Sequence, residues 1–174
     1  MKHITLWVFV AMLMLGCKKI DKLTHFYMSY ETVGVLDQTT VFGSPFDVLT
    51  AEITTMKDSI FSSENTSEDR VSQIAIKTLS LRVNHPDSIP YNYFQSIEIY
   101  IIDIEENDKL IAWNDQVDNH VAPFILTLTT DDLSEYLTKP TLKYRIHGSL
   151  SEQFAIKTAL NLKTEYFVNA AINN

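Results

Sequence analysis

"VSQIAIKTLSLRV", residues 71–83, alternates apolar and polar side chains, but its apolar set changes phase: Ile74 and Ile76 are even-numbered, whereas Leu79, Leu81 and Val83 are odd. Side chains of a strand point alternately to its two faces, so a slip of one residue would turn the second half inside out. One extra residue restores the inward face. The stretch therefore predicts one long strand with a β-bulge near Lys77 and Thr78.

The same period of two extends over most of the chain. In "THFYMSYET" (24–32), Phe26, Met28 and Tyr30 take one face while His25, Tyr27 and Ser29 take the other. "DVLTAEITT" (47–55) reads as a weaker strand introduced by the turn-forming "GSPF" (43–46). "SSENTSED" (62–69) and "NHPDSIPYNY" (84–93) read as exposed loops. "FQSIEIYIIDI" (94–104) sets Ile97, Ile99 and Ile101 together, and "EENDK" (105–109) turns it into "LIAWND" (110–115). Phe124, Leu126 and Leu128 mark a further strand. "DDLSEYL" (131–137) reads as the single helix, capped by Thr130 or Asp131 and ended by Pro140. Leu142, Tyr144 and Ile146 begin another strand, "LSEQ" (150–153) turns, and alternation runs from Phe154 to Ile172. A straight strand of that length would be roughly 60 Å long, so a bend or break is expected near Lys163 to Glu165.

Short strands separated by turns predict an all-β fold: an antiparallel two-sheet sandwich with Greek-key-like connections and one short helix. A small closed β-barrel is the alternative.

The N-terminus has a different grammar. Lys2 and His3 precede twelve residues, "ITLWVFVAMLML" (4–15), which carry no charge, and Gly16 and Cys17 follow. A cationic start, a short apolar core and a small residue at the cut are the layout of a secretory signal. A bilayer-spanning helix needs about 20 apolar residues, and Lys18, Lys19, Asp21 and Lys22 end this run at once. Leu13, Leu15, Gly16 and Cys17 resemble the lipobox of bacterial lipoproteins, with Met14 where a leucine is usual. The resemblance implies cleavage before Cys17, a diacylglycerol on its thiol and an acyl chain on its amine. Several chains on one residue hold a protein to a membrane essentially permanently. The expected organisation is a signal peptide over 1–16, a lipidated N-terminus and tether over 17–22, and one β-sandwich domain over 23–174. Lys18 directly after the cysteine favours the outer membrane, facing the periplasm or the cell surface.

Loss of residues 1–16 from 174 leaves 158, one ordinary domain with a sizeable core. One lysine and no acid leave with that segment, taking the formal charge from −8 to −9. An acidic chain without a basic run repels phosphate backbones, so nucleic acid is not an expected partner. Cys17 is the only cysteine. The domain therefore contains no disulfide, thiol nucleophile or thiolate metal site.

Catalytic patterns are sparse. His25, His85, His120 and His147 form no pair at metal-ligand spacing. After Gly16 the chain has only Gly34, Gly43 and Gly148, too few for a phosphate loop or a GxSxG elbow. The densest polar cluster is "WNDQVDNH" (113–120), with Trp113, Asp115, Asp118 and His120. Such oxygens can hold calcium or supply an acid and a base. The cluster lacks the glycine of a calcium loop, and a solvated strand connection is the better reading. No catalytic residue, metal or cofactor is assigned; the covalent lipid on Cys17 is the only attached group expected. The sequence thus points to a membrane-anchored bacterial envelope lipoprotein acting as a non-catalytic binding or interaction module. The alternatives are a carrier of a small apolar ligand held between the sheets, and a glycan-directed binder or enzyme using the Trp113–His120 segment.

Overall fold

The computed structural model describes residues 23–37, 43–84, 94–105, 107–117, 125–151 and 157–172. In chain order these form β1 (Leu23–Leu36), β2 (Pro45–Leu49), β3 (Ile53–Thr54), helix α1 (Lys57–Ser63), a 3₁₀ turn (Glu68–Arg70), β4 (Val71–Asn84), β5 (Phe94–Ile102), β6 (Asp108–Asn114), β7 (Thr127–Leu128), helix α2 (Ser134–Leu137), β8 (Thr141–Leu150) and β9 (Thr158–Ala171). The expected two-sheet sandwich is present. A three-stranded sheet has the order β1-β9-β4, and a six-stranded sheet has the order β2-β8-β5-β6-β7 with β3 also on β8. All pairings are antiparallel. Both sheets end in edge strands, which corrects the closed-barrel alternative. The chain changes sheet four times, between β1 and β2, β3 and β4, β4 and β5, and β8 and β9, and its first and last strands lie side by side.

The bulge falls where the phase change puts it. On β4, Ile76 opposes Tyr166 and Thr78 opposes Glu165, leaving Lys77 as the extra residue. Ile74 and Ile76 before it and Leu81 after it are accordingly all buried. The Ile97, Ile99 and Ile101 face of β5 and the Phe26, Met28 and Tyr30 face of β1 are buried as their alternation requires.

Four expectations are corrected. First, β9 does not break near Lys163 to Glu165; it pairs residue for residue with β1 along its whole length. It can run on because β1 and β4, each 14 residues long like β9 itself, flank it on both sides. Second, α1 joins the one helix expected. Its Phe61 is buried edge-on against Phe26, with ring centroids 6.0 Å apart. Part of "SSENTSED" is tied down as well, since the buried Thr66 donates from Oγ1 to the Ala171 carbonyl at 2.6 Å. Third, α2 starts at Ser134, and the carboxylate at its entrance belongs to Asp132 rather than to Thr130 or Asp131. Asp132 Oδ1 accepts from Ser134 N at 3.0 Å and from Ile74 N at 2.9 Å, while Asp131 pairs with Lys109 at 2.5 Å. Fourth, the strand through Leu126 and Leu128 is reduced to Thr127–Leu128. Phe124, His85 and the expected strand start at Phe154 lie outside the described residues.

Between the sheets sits a buried polar cluster. Tyr144 on β8 and Tyr166 on β9 bring their hydroxyls to 2.8 Å, and Tyr144 also meets Thr164 Oγ1 at 2.9 Å. The Tyr30 ring lies 6.1 Å from Tyr166, and its hydroxyl donates to the Thr55 carbonyl at 3.0 Å. Burial pushes the Tyr144 hydroxyl up to about 12 and raises Tyr30 and Tyr166 well above the ordinary tyrosine value.

Two predictions follow from this packing. A Cβ at Gly148 would stand 2.3 Å from the Ser96 carbonyl oxygen, a backbone atom that moves only with its strand. Gly148→Ala is expected to destabilise the fold by about 1–3 kcal/mol, the usual cost of overpacking, read as a lower denaturant midpoint at unchanged slope. The tyrosines set an alkaline limit. Their folded pKa values lie above the unfolded value near 10, so their contribution is complete below about pH 10 and is lost as the pH rises toward the folded values. Unfolding free energy measured from pH 8 to 12 should fall above about pH 10, and the fall should be shallower in Tyr144→Phe. Parallel curves would show that the hydroxyl is not responsible.

Candidate functional site

Because Leu142, Tyr144 and Ile146 of β8 and Ile97, Ile99 and Ile101 of β5 fill the core, the residues between them must line the outer face of the larger sheet. Cross-strand register assembles them into rows. Asp47 on β2 opposes His147 on β8, which opposes Glu98 on β5, which opposes Trp113 on β6, which opposes Thr127 on β7. The neighbouring row runs Leu49, Arg145, Tyr100. Residues directly opposite share a face and interact.

The face neutralises its own charge. Arg145 Nε lies 3.6 Å from Asp47 Oδ1, and its Nη1 donates to Asp108. Tyr100 donates to Glu98 Oε2 at 2.6 Å, and this hydrogen bond, aided by burial, pushes the phenol up to about 12. Such partly exposed ion pairs add little stability. They do tie Arg145 to Asp47 and Asp108, and Tyr100 to Glu98, the residue opposite Trp113.

At one end of the face lies a cleft of about 250 Å³, whose lining includes Leu49, Glu52, Ile104, Thr141, Lys143 and Arg145. Leu49 and Ile104 are each more than half exposed, so the cleft combines two apolar rims with two cations. Asp103, also in its lining, anchors the turn between β5 and β6: its Oδ1 accepts from Glu105 N at 2.9 Å and from Asn107 N at 3.0 Å. Burial pushes this carboxyl up, but donation from the Asn107 side chain and from the Asn107 and Glu105 amides outweighs it and holds the group below the ordinary aspartate value. A carboxylate held ionised in this way suits a structural anchor better than a proton-transfer group.

The residues singled out in the sequence are not gathered together. Trp113 belongs to the row just described, whereas Asp115 is exposed at the end of β6 beside a separate shallow depression of about 430 Å³ lined by Phe94, Ser96 and Gln116. Asp118, His120 and Cys17 lie outside the described residues. Among the described residues, no three His, Cys, Asp or Glu side chains converge on a metal position. Nor is any helix among them long and apolar enough to cross a membrane. Glu98, Tyr100, Arg145 and His147 were missed in the sequence: alternation turns each outward, but only strand order makes them neighbours.

No protein-family model matches the chain, and no curated protein matches it. Among solved structures, a chain titled Desmodium yellow mottle tymovirus is similar at 8% identity over 88% of this chain and 91% of that one, with a TM-score of 0.26. A likeness of that degree bears on neither fold nor function.

The two anchoring carboxylates predict an acid limit. Asp132 resembles Asp103: burial raises it, but hydrogen bonds from Ser134, Ile74 and Leu133 outweigh that and hold it low. Each folded pKa is below the unfolded value of 3.8, so each group stabilises the fold above that pH. Its contribution is lost as the pH falls through the lower folded value. Acid titration of stability should show a decline below about pH 4 that is shallower in Asp103→Asn and Asp132→Asn than in the parent.

Proposed function

We propose that this protein is a lipid-anchored module of the bacterial cell envelope, tethered through Cys17, whose sandwich is a non-catalytic recognition domain. The carrying observation is the lipobox-like run Leu13 to Cys17, followed so closely by the first strand at Leu23. A leash of a few residues spans at most about 20 Å, so it keeps the domain at the membrane surface. The larger sheet supports the recognition reading. Its outer face is broad and charge-matched, with Trp113, Tyr100 and Arg145 set in it, the residue types that anchor protein interfaces. A carrier of an apolar ligand asks for an apolar cavity between the sheets. The clefts of about 250, 430 and 480 Å³ instead have charged residues in their linings. The proposed location is the outer membrane, with the domain facing the periplasm or the cell surface.

Intact-mass spectrometry of the full-length protein purified from a diderm bacterial membrane tests this directly. The expected mass lacks residues 1–16 and carries a diacylglycerol and an acyl chain, and Cys17→Ala loses both the lipid and the membrane association. An unmodified thiol on a full-length chain would overturn the tether. Hydrolytic turnover on a broad substrate panel would overturn the non-catalytic part.

A further inference from the structure

We infer that β1 pairs with β1 of a second copy of this chain, antiparallel and with Ser29 opposite Ser29, so that two small sheets join into one continuous sheet. The inference is independent of the lipid anchor and rests on the contrast between the two edges of the three-stranded sheet.

The β4 edge is guarded. Register shifts at Ser72 and Lys77 interrupt it. At Ile74 the backbone is occupied on both sides, its N–H donating to Asp132 and its carbonyl accepting from Leu133 N at 2.7 Å. Bulges and covering segments of this kind keep a sheet edge from recruiting another strand. Among the described residues the β1 edge has neither. Over 14 residues it pairs with β9 without a register shift and contains no proline. Among the described residues its backbone bonds to β9 alone. Its links to the Ala51–Thr55 segment are made by the inward side chains of Thr32 and Tyr30, so among the described residues the outer row of N–H and C=O groups has no partner.

The outward side chains of this strand are unusually apolar for an edge: Leu23 is 58% exposed, Tyr27 54%, Val33 45% and Val35 55%. Pairing must keep like faces together, so the opposed residue numbers must agree in parity. With Ser29 on the two-fold axis, Leu23 faces Val35, His25 faces Val33 and Tyr27 faces Glu31. On the inner side, Phe26 faces Thr32 and Met28 faces Tyr30. No like charges meet, and Glu31 already holds Lys163 at 2.7 Å. A register centred on Tyr30 would set the exposed Leu23 against Asp37, one centred on Met28 would leave Val35 beyond the pair, and one centred on Glu31 would stack two carboxylates. The Ser29 register alone of these engages all four apolar side chains without an electrostatic conflict. A self-complementary strand is what a two-fold interface requires.

Ser29→Cys in the full chain tests the register, with Ser80→Cys on the outer face of β4 as the control. Opposed Cα atoms in an antiparallel pair are about 4.5–5.5 Å apart, within the span a disulfide bridges. The expected result is a covalent dimer of Ser29→Cys under mild oxidation, with Ser80→Cys no more cross-linked than the parent. By sedimentation in detergent, the parent should have twice the monomer mass. Ser29→Lys, which sets two ammonium groups face to face on an exposed position, should be monomeric with an unchanged circular dichroism spectrum. A monomeric parent would overturn the inference. So would a dimer that Ser29→Lys leaves intact and Ser29→Cys does not trap.

Discussion

The hydroxyls of Tyr144 and Tyr166 meet at 2.8 Å between the two sheets, with Thr164 as a third partner. Apolar contact holds sheets together without specifying how one lies over the other. A buried hydroxyl is different, because it must find a partner at a defined distance or incur a desolvation cost of a few kcal/mol. The cluster therefore fixes β8 over β9. Those two strands carry most of the fold: β8 holds β2, β3 and β5, and β9 holds β1 and β4. With Cys17 as the only cysteine, no disulfide within the sandwich can do this work, and the tyrosines do it instead.

The outer face of the larger sheet is a consequence of that arrangement. Once Leu142, Tyr144 and Ile146 are committed inward, Lys143, Arg145 and His147 have no choice of side. Their neighbours are then dictated by which strands flank β8. Asp47 comes from one side and Glu98 from the other, so basic groups of β8 fall between acidic groups of β2 and β5. The face is thereby charge-matched although the chain as a whole is strongly acidic. The surplus acid lies elsewhere, in groups such as Asp58, Asp69 and Glu135 on the helices and the 3₁₀ turn.

Much of this was legible in the sequence, and the division is physical. Alternation is a local property, so the inward faces of β1, β4 and β5 could be read directly, and the phase change at Lys77 located a bulge in a strand whose partner was unknown. Strand order is not local. Nothing in the residues near Glu98 shows that His147 will lie beside it, and so the row across the larger sheet could not be foreseen. The cluster from Trp113 to His120 was conspicuous because it was contiguous, yet contiguity does not bring Trp113 and Asp115 into one site. The expected break in β9 is absent for a related reason: the length limit applies to an isolated strand, whereas β1 and β4 support β9 on both sides. α1 went unseen because one buried aromatic, Phe61, holds a seven-residue helix that has too few turns to show a period.

The smaller sheet has a further property that follows from its order. β1 and β4 never touch as strands; β9 alone joins them, pairing Leu23 with Ala171 across almost the whole domain. Such non-local pairing is slow, because the loop must close before the ladder stabilises it. Until β9 docks, β1 and β4 each present two open edges, and open edges recruit other strands. β4 meets this hazard with the Asp132–Leu133 segment, whose bonds to Ile74 do not involve β9, and its bulges add to this once β9 has docked. Among the described residues β1 has no equivalent device. Among the described residues its protection comes from β9 on one side only, with a long, apolar edge left on the other. A sequence that guards one edge of a three-stranded sheet with two bulges and a carboxylate shows that guarding was available to it. The open edge of β1 is then a feature of the fold in its own right, and it suits the backbone pairing with a second copy inferred above.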